Sequence, residues 1–296
     1  MITILGPTAS GKTALAARVA FARDGEVISA DSRQVYRGMD IGTGKDYDDY
    51  IVNGSAVPYH LIDIVEPGYE YNIYEYQLGF HKAYREILDR GKLPILCGGS
   101  GMYLEAVLKG YQLPAIKQDE GFVQSLRDKS EEELITILKA FKTLHNKTDL
   151  EDRPRLLRAI EIAYEQQKSG LQEIFPAVHS TIFGISLPRG LLKKRITDRL
   201  SKRLNEGMIE EVERLLRNGI PPERLMRYGL EYKFLTLYLS GKMSRSDMFD
   251  NLNKAIHQFS KRQMTWFRRM ERQGFQITWI DGRLPMESKI AMVNNL

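Results

Sequence analysis

The chain has 296 residues, and its 43 Lys and Arg against 38 Asp and Glu give a formal charge of +5. An apolar fraction of 43% with 27% charged residues excludes a wholly disordered chain. The single cysteine, Cys97, excludes an intrachain disulfide framework and a four-cysteine zinc site. No apolar run approaches the roughly 18 residues of a membrane span. The opening Met1-Ile2-Thr3-Ile4-Leu5 lacks the basic region and cleavage site of a signal peptide. No membrane partner is expected, and a cytoplasmic location is.

In chain order, Ile2 to Leu5 reads as a short buried strand, followed by a glycine-rich turn and a helix from Lys12 to about Phe21. Glu26 to Ala30 is a second strand ending at Asp31-Ser32, and His60 to Val65 a weaker third, closed by Pro67-Gly68. Tyr74 to Arg90 has helical periodicity. Leu93 to Cys97 is a buried strand ending in Gly98-Gly99-Ser100-Gly101 before a helix over Met102 to Leu108. This alternation predicts an α/β fold, a P-loop NTPase-like parallel sheet flanked by helices, with its site at the carboxyl ends of the strands. Residues 121–178 read as a smaller, mainly helical insertion domain, with Glu131 to Phe141 and Arg155 to Gln167 its clearest helices. The core then spans 1–120 and 179–296. Thr181 to Ser186 returns to a strand, long helices follow over Leu191–Asn218, Arg224–Leu239 and Asp247–Arg272, and Gln276 to Ile280 is a last strand before a tail of little character.

The charge is uneven. Residues 189–272 hold 20 Lys and Arg against 10 Asp and Glu, while the remainder has a deficit of five. Clusters such as Lys193-Lys194-Arg195 and Arg268-Arg269 fit a polyanion partner, although solvated helix faces look the same.

Gly6-Pro7-Thr8-Ala9-Ser10-Gly11-Lys12-Thr13 fits G-x-x-x-x-G-K-[ST] in the strand–loop–helix context that the motif needs. Glycines let successive N–H groups turn inward, the helix N-terminus adds positive potential, and Lys12 adds a formal charge. The Thr13 hydroxyl can sit on a magnesium ion (Mg2+) bridging phosphate oxygens. The loop therefore holds a diphosphate or triphosphate. An ATP-hydrolysing machine pairs such a loop with a strand ending in an acid, whereas Leu93 to Cys97 ends in glycines and Ser100. That turn allows close approach of a substrate, or is simply a tight turn. Asp31 should face the phosphate loop across the sheet edge. A strand-end aspartate is often a cap, but the polar, glycine-rich run from Asp31 to Lys45 favours a working loop and a general base. His60 is read either as a phosphate contact or as satisfying its loop, the Trp266-Phe267 pair as core, and Cys97 as inert packing.

These segments together resemble the tRNA dimethylallyltransferase (tRNA isopentenyltransferase) family: GPTASGKT at 6–13, DSRQVYRGMDIGTGK at 31–45, PYHLID at 58–63, GGSGMYL at 98–104, DRPRLLRAIE at 152–161, GMIEEVERLL at 207–216 and KRQMTWFRR at 261–269. The resemblance runs in order from residue 1 to about 282. It implies transfer of a dimethylallyl group from dimethylallyl diphosphate to N6 of the adenosine on the 3′ side of the tRNA anticodon. The 6–13 loop would hold the donor diphosphate with Mg2+, and Asp31 would be the base. Ser100 would stand in the substrate channel where threonine is commoner. Arg227, in Arg227-Tyr228-Gly229-Leu230-Glu231-Tyr232, would meet the diphosphate. Contacts to the anticodon stem-loop would come from Asp31, Ser32, Arg33, Gln34 and Ser100, from Pro154, Arg155, Leu156, Leu157 and Arg158, and from Arg262 and Gln263. Tyr36, His60 and Tyr103 are candidate supports for a splayed base, and a monomer is expected. Three other readings remain. One is an isopentenyltransferase acting on free adenylate. The others are a P-loop kinase with Asp31 activating a hydroxyl, and a nucleotide-gated RNA-binding protein without catalysis.

Overall fold

The computed structural model describes residues 1–113, 120–126, 128–141, 153–168 and 175–295. It divides into two compact units, Met1–Lys109 with Ala177–Leu296, and Gly110–Pro176.

In the larger unit, Ile2–Leu5 (β1) is followed by Lys12–Ala22 (α1) and Gly25–Ala30 (β2). A 3-10 turn, Tyr47–Tyr50, leads to a small hairpin of Ile51–Val52 (β3) and Ser55–Ala56 (β4), and then to Tyr59–His60 (β5). Ile73–Asp89 (α2), Leu93–Gly98 (β6) and Gly101–Lys109 (α3) complete the first half. The α2 start is a capping box, with Asn72 and Glu75 each accepting from the other's backbone N–H at 3.0 Å. The strand expected over His60–Val65 is only two residues long. Leu61 and Asp63 have φ of 63° and 55°, which turns the chain away from the sheet after His60.

In the smaller unit, Glu120–Leu126 (α4), Glu131–Phe141 (α5) and Arg153–Lys168 (α6) pack around Leu126, Leu134, Leu138, Leu156, Ala159, Ile160 and Ala163. Thr181–Ser186 (β7) returns to the larger unit, followed by Arg189–Asn205 (α7), Met208–Arg217 (α8), Pro222–Leu225 (α9), Leu230–Leu239 (α10) and Arg245–Arg272 (α11), then Ile277–Asp281 (β8) and Met286–Asn294 (α12). Two helices read from periodicity as continuous are each broken. Gly207, at φ 101°, separates α7 from α8, and the Met226–Gly229 turn separates α9 from α10. Left-handed backbone at Gly207 is open to glycine but strained for other residues, so the apolar period runs on while the helix axis changes. The tail is a helix, α12, packed on α1.

The described sheet has six strands in the order β5-β2-β6-β1-β7-β8, all parallel. Its strands are apolar runs because both faces are covered. One face carries α1 and α12, the other α2, α3 and the later part of α11. A third core joins α7 to α11 and also takes in Val35, Tyr36 and Met39. Val35 and Met39 are fully buried, each contributing about 2 kcal/mol. The segment after β2 is therefore pinned to the helical layer rather than hanging free.

Candidate active site

Strand order decides the site. β6 lies between β1 and β2, so the Gly98–Gly101 turn stands between the glycine-rich loop after β1 and Asp31 after β2. With strands about 4.8 Å apart, the two ends are about 10 Å apart. A cavity of about 620 Å³ opens over these three strand ends.

On one wall, Thr8, Ala9, Gly11, Lys12 and Thr13 line the cavity, while Gly6, Pro7 and Ser10 supply the turn beneath, where Pro7 O accepts from Ser10 N–H at 3.3 Å. Gly11 at φ 86° lets α1 begin at Lys12, so the first-turn N–H groups face the cavity. Ala9 takes φ 60°, a left-handed conformation that costs a non-glycine residue about 1–3 kcal/mol. Burial holds the Lys12 ammonium below the usual lysine range, against the pull of the Asp31 and Asp46 carboxylates. An anion in the cradle would reverse that. Cys97 lies buried below, and burial pushes its thiol up to about 12, so it stays a thiol.

On the opposite wall, Asp31 Oδ1 accepts from the Arg33 N–H at 2.9 Å. The carboxylate thus caps its own turn with one oxygen and still lines the cavity. Ser100 Oγ accepts from the Ser32 N–H at 3.1 Å, fixing the turn next to Asp31. Arg33, Arg227 and Arg262 line the cavity and are exposed, the Arg262 guanidinium standing 5.9 Å from the Phe259 ring.

Several expected RNA contacts are engaged inside the protein. Gln34 accepts from Ser29 Oγ at 3.2 Å and donates to Gly44 O at 3.0 Å. Gln263 is buried, accepting from Thr8 N–H at 2.9 Å and donating to Gly99 O at 3.0 Å. Tyr36 is buried with its ring 4.5 Å from that of Tyr228, and Tyr103 is stacked on Tyr76 at 4.0 Å. Neither leaves a face for a splayed base. His60 meets the Glu26 carboxylate at 2.7 Å beside the bidentate Arg90, a bond at the sheet edge. In the smaller unit, Leu156 is buried in the core and Leu157 packs against it, so Leu156 is spent on packing. The side chains of Pro154, Arg155 and Arg158 lie outside the described ones. Phe267 is core as expected, but Trp266 is half-buried and lines the cavity, with Arg269 stacked 4.0 Å from its ring.

Several ionisable residues in the cavity wall escaped sequence reading. Arg199 and Arg203, one turn apart on α7, reach Asp46 at 3.5 and 2.8 Å, and Glu231 joins them from α10. Burial pushes the Asp46 carboxyl up, but Arg199 and Arg203 pull it below the usual range; burial raises that of Glu231. The arginines press against Gly44, at φ 75°, where a Cβ would run into both guanidinium groups. The one sequence signal for the pair was the i, i+4 spacing, which a solvated basic helix shares. Behind the loop, the buried Glu211 carboxylate accepts from the N–H groups of Asp40, Ile41 and Gly42 at 2.8, 2.8 and 3.0 Å and from Tyr232 OH at 2.7 Å. Lys45, also buried, donates to Tyr36 O at 2.6 Å and Asp40 Oδ1 at 2.9 Å, and pairs with Asp63.

The IPP transferase family model matches residues 34–270, and the isopentenyl transferase model matches residues 1–55. The tRNA dimethylallyltransferase 2 of Phocaeicola vulgatus is 56% identical over 298 residues, covering 100% of this chain and 97% of that protein. The tRNA dimethylallyltransferase 1 of Parabacteroides distasonis is 58% identical, covering 98% and 95%. The chain belongs to the IPP transferase family. Among solved structures, the tRNA delta(2)-isopentenylpyrophosphate transferase of Staphylococcus epidermidis matches at 30% identity with a TM-score of 0.70, covering 99% of this chain and 97% of that one. A eukaryotic dimethylallyltransferase acting on tRNA shares the fold at TM-score 0.78 and 22% identity. No described helix is long and apolar enough to cross a membrane.

Proposed function

We propose that this cavity transfers a dimethylallyl group from dimethylallyl diphosphate to N6 of the adenosine 3′ to a tRNA anticodon. The observation that carries the reading is that Lys12 and Asp31 line one cavity from opposite sides of the β6 turn. Family membership supplies the reaction class. The gap of two strand spacings suits a five-carbon allylic group lying between its diphosphate and an acceptor nitrogen.

An exocyclic adenine amine is a poor nucleophile, since its lone pair is delocalised into the ring, so the leaving group must be made very good. The Gly6–Thr13 loop, Lys12, Arg199 and Arg227 place N–H groups and positive charge where the diphosphate's charge grows as the allylic C–O bond breaks. The C–N6 bond forms as the N6 proton passes to the Asp31 carboxylate. Arg33 and Arg262 at the rim, with the basic α7 and α11 surfaces, would hold the stem by its phosphates, making affinity fall steeply with salt. The Thr13 hydroxyl and the Asp49 carboxylate, both in the cavity wall, are hard oxygen donors suited to Mg2+. Among the described residues no three acidic, His or Cys side chains converge on one point. Such an ion would therefore share its ligands with the diphosphate, and its chemistry would be neutralising phosphate charge. The chain is expected to act as a monomer in the cytoplasm.

The test is incubation with an unmodified anticodon stem-loop, dimethylallyl diphosphate and Mg2+, with free adenylate as a parallel acceptor. One added C5H8 on a single adenosine of the RNA is expected. Modification of adenylate alone, or phosphate transfer from ATP, would overturn the reading.

A further inference from the structure

We infer that Gln263 is the positioning residue that holds the donor loop in register with the acceptor side of the cavity. The inference rests on the function proposed above and assigns the side chain to the donor half of that reaction rather than to RNA.

Gln263 comes from α11, far along the chain, and is buried at the point where two strand ends meet. Its Oε1 accepts from Thr8 N–H at 2.9 Å, inside the glycine-rich loop. Its Nε2 donates to Gly99 O at 3.0 Å, in the turn after β6. The next residue, Ser100, accepts from the Ser32 N–H at 3.1 Å, and Ser32 follows Asp31. A continuous run of hydrogen bonds and peptide bonds thus leads from the phosphate loop to the base, with one amide as its bridge. Gly99 is built for that bridge, since a Cβ there would collide with the Gln263 amide nitrogen.

Two physical arguments make this more than a satisfied buried amide. The loop carries left-handed backbone at Ala9, φ 60°, next to the tethered Thr8. Strain of that kind persists only where the surroundings over-determine it, and the Gln263 bond is a tether from outside the loop. The bridge also takes the Thr8 N–H out of the set available to an anion, so the donor is left to the later N–H groups and Lys12. The loop therefore presents its charge from a place fixed relative to Asp31. In bimolecular chemistry, a displacement of about 1 Å costs on the order of 10²-fold in rate.

Gln263→Met removes both bonds at similar volume, and Gln263→Glu makes a decisive companion. When protonated, a glutamic acid can still accept from Thr8 N–H and donate to Gly99 O; when ionised, it sets a negative oxygen against that carbonyl. The measurements are inorganic diphosphate affinity with Mg2+, stem-loop affinity, and transfer rate across pH. Dividing each variant's rate by the wild-type rate at the same pH removes what Asp31, Lys12 and Glu231 contribute. For Gln263→Met we expect diphosphate affinity about 10-fold weaker and transfer slowed about 10²-fold, with stem-loop affinity within twofold of wild type. For Gln263→Glu the ratio to wild type should rise as the pH falls. Weakened stem-loop affinity with unchanged diphosphate affinity would overturn the inference, as would a pH-independent ratio for Gln263→Glu. A wild-type chain whose diphosphate affinity falls on Gln263→Met as expected, but which transfers no C5 group, would instead refute the proposed function alone.

Discussion

The two walls of the cavity are built on different plans. The donor loop is mostly local: the six residues between β1 and α1 carry the turn, and the start of α1 adds N–H groups and Lys12, with Gln263 tethering the loop from outside. The acceptor wall is assembled from a distance. The segment from Asp31 to Asp46 has little regular structure, and residues far along the chain hold it: Glu211 accepting three of its backbone N–H groups, Arg203 pairing with Asp46, and α7–α11 packing on Val35 and Met39. A local cradle is specified by a motif, whereas a remote one is specified by packing. Damage to the first should be felt in donor binding, and damage to the second in folding and in the acceptor step.

The largest expected effect falls on the local wall. Lys12→Met should slow transfer by about 10²–10³-fold and weaken diphosphate affinity while leaving thermal stability unchanged or slightly raised, because burial disfavours the charged ammonium. Kinetics and a melting curve on the same preparation separate the two readouts. Glu211→Gln strikes the remote wall. It turns an amide N–H2 towards backbone N–H donors and should cost about 3 kcal/mol by denaturant unfolding, with diphosphate affinity in the folded protein near wild type. A fall in diphosphate affinity as large as that of Lys12→Met would erase the contrast.

Gly44→Ala tests the same wall more gently. The positive φ strains any residue with a Cβ, which would also have to displace the two guanidinium ends, so a loss of about 2 kcal/mol is expected. Loosening of the Asp46 pair should accompany it. The smallest effect is that of Asp46→Asn, about 1 kcal/mol because the carboxylate is half exposed. It carries a pH signature. The folded Asp46 carboxyl lies below its ordinary range because of Arg199 and Arg203. The pair's contribution is therefore complete above that range and is lost as the pH falls through the depressed value. The stability gap between wild type and Asp46→Asn should be widest at neutral pH and close in acid.

Legibility in the sequence follows the same division. The sheet, the glycine-rich loop, Asp31 and Ser100 could be read because a strand followed by a turn is a short-range pattern, and a parallel sheet brings strand ends to one edge. That β6 would lie between β1 and β2, opening the gap for an allylic group, depends on pairing that local pattern does not encode. Arg199 and Arg203 were hidden because a basic i, i+4 pair docked on Gly44 has the same sequence as one facing water. Gln34 and Gln263 are expected to face RNA through the resemblance, and their segments do border the cavity, yet their amides are used inside the protein. The helix breaks at Gly207 and before Leu230 escaped for a related reason, since the apolar period continues across them.

The central claim is that Asp31 takes the acceptor's proton across a cavity whose far wall holds the donor. Single-turnover transfer to an unmodified anticodon stem-loop by Asp31→Asn tests it most directly, with diphosphate and stem-loop affinities measured alongside. The account predicts transfer slowed by about 10²–10⁴-fold with both affinities close to wild type. Transfer at the wild-type rate, or a loss fully explained by failure to bind either substrate, would contradict it.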